Sequence, residues 1–194
     1  MEVIIRVPKD TDVERINRFF SMFRFSKLSI CPRCDFESNY AVQALDSSAY
    51  YVSVIEGTES LVQADFEKFL ENGQCNLLFF NEETPDASEP KVIYTTDHSA
   101  TANSKLDRFK QLKPTGFAGA SVISESDSVN SKISLNDMSK QILEKIKTAV
   151  HSTQANLIIA SYDFSNTARK KAQISNVIDM VRQNRCHVLV LKAY

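Results

Sequence analysis

The chain has no tryptophan and only four glycines and four cysteines in 194 residues. Phosphate-cradling loops and dinucleotide fingerprints need closely spaced glycines, and neither G-x-G-x-x-G nor G-x-x-x-x-G-K-[ST] occurs. The cysteines are too sparse for a disulfide scaffold, so reduced thiols in a cytoplasmic or nuclear setting are expected. Long apolar runs are missing too. Val3-Ile4-Ile5 is broken by Arg6, too early for a signal peptide, and no stretch approaches a membrane span. No internal repeat stands out. A soluble intracellular protein is expected, with no cofactor implied.

What is present alternates between two periods. Apolar or β-branched runs at 2–7, 25–30, 50–55, 76–80, 91–96, 156–161 and 187–192 read as strands. Helical spacing marks 12–24, the segment after Thr58 that buries Val62, Phe66, Phe69 and Leu70, and then 100–113, 136–151 and 165–184. Thr11 and Glu14 have capping-box spacing. Val13, Ile16, Phe20 and Phe23 recur at helical spacing, and Ala168, Ala172, Ser175, Ile178 and Val181 form a stripe on the last helix. The fold class is α/β with a mixed sheet, and the last strand–helix–strand is a parallel βαβ unit. Residues 1–113 form one α/β unit and 132–194 a basic αβαβ unit that either stands alone or shares the first sheet. Residues 114–131, small and polar, read as a linker or mobile loop.

Charge divides the chain. Residues 1–113 carry 13 Lys+Arg against 18 Asp+Glu, a net −5, whereas 131–194 carry 10 against 4, a net +6. The basic part suits either an acidic partner or the acidic part of the same chain.

Two candidate sites emerge. Cys31-Pro32-Arg33-Cys34 has the C-x-x-C spacing of a short-loop disulfide, and a helix N-terminus would acidify its first thiol. Its rivals are half of a zinc site, completed by Cys75, His98, His151, Cys186 or His187, and unremarkable cysteines. None of those partners is paired at ligand spacing, so no metal site is expected. The second site is the turn after the 156–161 strand. Asp163, Ser165, Thr167, Arg169, Lys170 and Lys171 either hold a phosphate at a helix N-terminus or form a capped, solvated turn.

The element order over 1–113 and the CPRC string resemble the thioredoxin-like fold. That resemblance implies Cys31 as nucleophile and Cys34 as resolving thiol, although Gln74-Cys75-Asn76 stand where the family has a cis-proline. Ala155-Asn156-Leu157-Ile158-Ile159-Ala160, with the polar and basic residues from Asp163 to Lys171, resembles a short stretch of the L7Ae-type RNA-binding fold. The leading functional expectation is a non-enzymatic regulatory protein that binds a macromolecular partner, most simply another protein. The alternatives are a thiol–disulfide oxidoreductase using Cys31 and Cys34, and a nucleic-acid-associated protein binding through Arg169, Lys170, Lys171, Arg182 and Arg185.

Overall fold

The computed structural model describes residues 2–7, 12–24, 27–32, 50–55, 70–71, 75–85, 89–112, 121–124, 135–165 and 167–193. Its strands are β1 (Glu2–Val7), β2 (Lys27–Pro32), β3 (Tyr50–Ile55), β4 (Asn76–Asn81), β5 (Val92–Thr96), β6 (Ser121–Ser124), β7 (Leu157–Asp163) and β8 (His187–Ala193). The described helices are α1 (Val13–Ser21), α2 (Ala100–Lys110), α3 (Leu135–Thr153) and α4 (Thr167–Gln183). All eight strands join one sheet in the order β2-β1-β3-β4-β8-β7-β5-β6. Every neighbouring pair is parallel except β4 and β8.

That order is the same four-strand pattern written twice. The first four strands run 2-1-3-4 and the last four repeat it as 6-5-7-8, joined back to back across the antiparallel β4–β8 seam. When the starts of these two strands are aligned, Leu78 corresponds to Leu189, and these two residues lie opposite each other. A pseudo-dyad therefore passes through the seam. The sequence keeps a faint echo of it. Ile16-Asn17-Arg18-Phe19 on α1 matches Leu106-Asp107-Arg108-Phe109 on α2, with the apolar positions buried and both arginines exposed. Cys75-Asn76-Leu77-Leu78 likewise matches Cys186-His187-Val188-Leu189.

Helices cover both faces of the sheet, so the central strands are buried on both sides and carry continuous apolar runs. On one face α1 and α2 pack through Ile16, Phe19, Phe20, Phe23, Leu106 and Phe109 onto Leu78, Tyr94, Ile159 and Leu189. Each such large side chain, fully buried, contributes about 1.5–3 kcal/mol. The C-terminal ends of α1 and α2 meet, with Phe23 and Phe109 rings 5.1 Å apart and Arg24 N donating to Leu112 O at 2.6 Å. On the other face α3 and α4 pack onto Leu77, Phe79, Ile158, Tyr162 and Val190.

Several local details depart from the sequence expectations. Asp12 caps α1, accepting from Glu14 N at 3.0 Å and Arg15 N at 3.3 Å. Thr11 lies outside the described residues. Within the stretch read as a linker, Ser121–Ser124 pair with β5 as the edge strand β6. On α4, Ala168 and Ser175 are exposed, whereas Gln173 and Asn176 are buried alongside Ile174, Val177, Ile178 and Val181. The C-x-x-C reading also needs correction. Cys31 lies within strand β2, in register with Arg6 of β1, and Pro32 continues that strand. Cys34 lies outside the described residues.

Candidate functional site

In open parallel sheets, ligands lie beyond the carboxyl ends of strands at the point where successive connections leave in opposite directions. Here those points fall between β1 and β3 and between β5 and β7. The loops that follow β1 and β3 lie largely outside the described residues. The second crevice is described nearly completely, with only Asn166 missing from its rim.

It is laced shut by the chain's own side chains. Asp97, directly after β5 and only 8% exposed, accepts three hydrogen bonds. Ser99 N donates to Oδ1 at 3.0 Å, and both Asp163 N and Gln173 Nε2 donate to Oδ2 at 2.9 Å. Asp97 thus ties the turn after β5 to the end of β7 and to α4. Asp163 is held in the same way. Its Oδ1 accepts from Ser165 N and the Ser165 hydroxyl, and its Oδ2 accepts from Thr101 Oγ1 at 2.9 Å. The Ser165 hydroxyl, together with the Ser165 amide and Thr101, lowers the Asp163 carboxyl below the ordinary aspartate value against an opposing effect of burial.

The backbone helps build this closure. His98 has φ 61°, a left-handed conformation rare outside glycine. Its N–H donates to Thr96 Oγ1 at 3.2 Å, which lets the chain turn directly into α2. Ser99 then caps α2, accepting from Ala102 N at 3.1 Å. Two carboxylates thereby occupy the N-terminal end of α2, where a helix dipole favours an anion. Ser161 Oγ donates to Ala102 O at 2.7 Å and closes the floor.

The residues expected to form a phosphate cradle separate. Asp163 and Ser165 bond to each other. Thr167, Arg169 and Lys171 are exposed at the start of α4. Lys170 Nζ donates to Glu71 O at 2.6 Å. The zinc-ligand candidates are also dispersed. Cys75 and Cys186 are buried thiols outside any disulfide, flanking opposite ends of the seam. Burial raises the Cys186 thiol to about 11, and it donates to Ala155 O at 3.0 Å. His98 and His151 are exposed while His187 is buried. Among the described residues no group of three His, Cys, Asp or Glu side chains could hold a metal ion. None of the described helices is long and apolar enough to cross a membrane.

Exposed bases recur on the α3–α4 face. Lys140, Lys145 and Lys147 on α3 and Arg169 and Lys171 on α4 are all exposed, and so is the acid Glu144. From the basic unit 132–194, the sequence singled out Arg169, Lys170, Lys171, Arg182 and Arg185. Lys170 is engaged by Glu71, and Arg185 approaches Glu83 at 3.6 Å, so the α3 lysines supply much of the outward-facing charge.

The comparisons with known proteins agree with this architecture. No family model matches the chain, and no curated protein matches it. Solved structures do. The candidate universal stress protein of Pseudomonas aeruginosa UCBPP-PA14 is 12% identical with a TM-score of 0.59, covering 100% of this chain and 94% of its own. A functionally unknown protein from Pseudomonas aeruginosa PAO1 is also 12% identical, with a TM-score of 0.57, over 98% of this chain and 92% of its own. The fold is thus universal stress protein-like, a Rossmann-like α/β arrangement. This replaces both the thioredoxin-like and the L7Ae-type resemblances. The run of elements in 1–113 imitates a thioredoxin order because both folds begin with alternating strands and helices, and strand pairing separates them. The assignment of Cys31 as nucleophile and Cys34 as resolving thiol loses the support of that resemblance.

Proposed function

We propose that this protein is a non-enzymatic regulatory protein that binds an acidic protein surface with its α3–α4 face. The observation that carries this reading is the row of exposed bases Lys140, Lys145, Lys147, Arg169 and Lys171 on one layer of the fold. Charge of one sign on a rigid helical layer steers an oppositely charged partner and sets its orientation. The laced crevice supports the same reading. Where related topologies hold small ligands, Asp97 and Asp163 spend their hydrogen-bonding capacity on the protein itself.

The test is retention on immobilised polyglutamate and on duplex DNA, for wild type and for the triple variant Lys140→Glu, Lys145→Glu, Lys147→Glu. Wild type is expected to be retained on polyglutamate at about 50 mM salt and the variant to be released. Stronger retention on DNA, with a steep dependence between about 50 and 200 mM salt, would replace the protein partner by a nucleic acid. Absence of wild-type retention on both supports would overturn the reading.

A further inference from the structure

The turn after β4 begins at a residue suited to start one. Asn81 Oδ1 accepts from Glu83 N at 2.9 Å, an Asx-turn, and Asn81 O accepts from Thr84 N at 3.1 Å. Three neighbours tie this turn down. Arg15 Nη1 and Nη2 donate to Glu82 O and Thr84 O, each at 3.0 Å. Arg185 O accepts from Thr84 Oγ1 at 3.3 Å, and the Arg185 guanidinium stands 3.6 Å from the Glu83 carboxylate. His187, the first residue of β8, makes the third tie: Asn81 N donates to its Nδ1 at 3.2 Å.

The third tie differs in kind from the others. An imidazole nitrogen accepts a hydrogen bond only while it carries no proton. Imidazole is the side chain that ordinarily changes charge between about pH 5 and 8, gaining its proton below about pH 6.5. A proton on Nδ1 would set an N–H against the Asn81 N–H.

The surroundings of the ring add to that conflict. His187 is 5% exposed, its ring stacked on Phe80 at 4.4 Å and met edge-on by Phe19 at 5.3 Å. A charge gained there is taken out of water. The charged groups around it, among the described residues, are Arg15 and Arg18 of α1, Glu82 and Glu83 of the turn, and Arg185 just before β8. Arg185 and Glu83 face each other, and Arg15 Cζ stands 5.5 Å from the centre of the Phe80 ring on which His187 stacks. Asn156, whose carbonyl accepts from His187 N at 2.9 Å, is neutral.

The register gives the conflict a local way out. Strands β4 and β8 pair through Leu77–Val190, Leu78–Leu189 and Phe79–Val188, so Asn81 and His187 both lie beyond the last of these pairs. The turn can lift from the ring without breaking the ladder.

We propose that His187 is an acid-sensitive latch: protonation of its Nδ1 releases the turn Asn81–Thr84 from the start of β8 while the sheet stays folded. The released turn lets the ring hold its proton, and the closed turn does not. The closed form therefore loses population as pH falls below the ordinary imidazole range, by about tenfold per pH unit. The latch lies on the α1 face and is separate from the α3–α4 surface.

The test is amide hydrogen exchange of the intact chain, followed by NMR and corrected for the intrinsic pH dependence of exchange. Protection at Asn81, Glu83 and Thr84 should fall about tenfold between about pH 6 and pH 5, while Ser99 and Asp163, whose amides are bonded to Asp97, stay unchanged. His187→Asn places an oxygen that accepts but does not titrate near the position of Nδ1, and should leave protection of the turn flat over the same range. The wild-type comparison of turn and reference amides decides the matter even where that variant folds poorly. Turn protection that does not change with pH would overturn the proposal. So would an equal fall at Ser99 and Asp163, which would mean loss of the whole fold, or the same fall in His187→Asn.

Discussion

Replacing Asp97 by alanine should be among the most destabilising single changes in the second half of the chain. Its carboxylate accepts from Ser99 N, Asp163 N and Gln173 Nε2, and its residue is 8% exposed. The three donors do not suffer equally. Ser99 is half-exposed, and its N–H can turn to water. Gln173 is 1% exposed and its Oε1 already lacks a partner, so loss of Asp97 strands the whole amide. A hydrogen bond to a charged group contributes about 1.5–3 kcal/mol, and a stranded buried group costs about 1–3 kcal/mol. Two affected bonds give about 4 kcal/mol for Asp97→Ala. For a chain of this size that lowers Tm by about 8–16 °C. Asp97→Asn keeps one acceptor oxygen but turns an amide toward one donor, and should cost about 1–2 kcal/mol. The sharper test is a reversal of sign. Gln173→Leu destabilises the wild type by removing a good bond, yet in the Asp97→Ala background it deletes a stranded amide and should recover about 1–3 kcal/mol. Urea unfolding of the four proteins, followed by circular dichroism, measures all of this. An Asp97→Ala cost below about 1 kcal/mol, or no recovery by Gln173→Leu, would refute the account of the crevice as a structural lacing.

Further expected outcomes concern the seam. Leu78→Ala and Leu189→Ala each truncate a fully buried side chain at the pseudo-dyad and should cost about 3 kcal/mol. Because the two face each other, the double variant should depart from the sum of the singles by about 0.5 kcal/mol or more in chemical denaturation. Lys192 is fully buried, its Nζ donating to Leu70 O at 2.6 Å and standing 5.0 Å from the Phe164 ring. Burial lowers its ammonium to about 7, with Cys75 opposing and Lys170 adding to the shift. Between that value and its unfolded pKa of about 10.4 the unfolded chain holds a proton the native state has released, so this group makes stability rise with pH across that window. Relative to Lys192→Met, the wild type should therefore gain stability from pH 7 to pH 10 in thermal melts. A parallel pair of curves would show that Lys192 does not titrate in the folded protein.

The elements themselves were largely written in the sequence, and their assembly was not. Strands such as Asn76–Asn81 have boundaries that coincide with apolar runs, because those runs fill a two-sided core. The Ile16-Phe20-Phe23 spacing likewise marked the buried face of α1 and the turn after it. Strand β6 was hidden because Ser121 and Ser124 flank only Val122 and Ile123, and an edge strand with one neighbour needs little apolar length. The α4 stripe held Ala168 and Ser175, which are exposed, and passed over Gln173 and Asn176, which are buried, one of them serving Asp97 across the fold. Asp97 itself carried no local sign of its role, since its partners lie two residues away in one case and 66 and 76 residues away in the others. The repeated order of strands was nearly illegible for a related reason. Packing constrains the pattern of buried positions, not their identity, so Cys75-Asn76-Leu77-Leu78 and Cys186-His187-Val188-Leu189 suffice for the same seam.

The two ends of that seam have diverged in a way the middle has not. At the centre Leu78 faces Leu189, and any polar substitution there would strand a group in a core closed on both faces. The ends are freer, because helix termini and connecting segments supply hydrogen-bonding groups. At one end His187 accepts from Asn81 N and stacks on Phe80. At the pseudo-equivalent other end, with the strand starts aligned, Lys192 stands where Asn81 stands, and it buries an ammonium against Leu70 O instead. One end holds a buried aromatic stack under Arg15, and the other a buried base that binds the two halves together. A fold built from two like halves thus preserves its seam by keeping the centre apolar, and it differentiates by what it places at the seam's ends. Exchanging the residues at the two ends should accordingly disturb the pH response set at the Lys192 end while leaving the strand order intact.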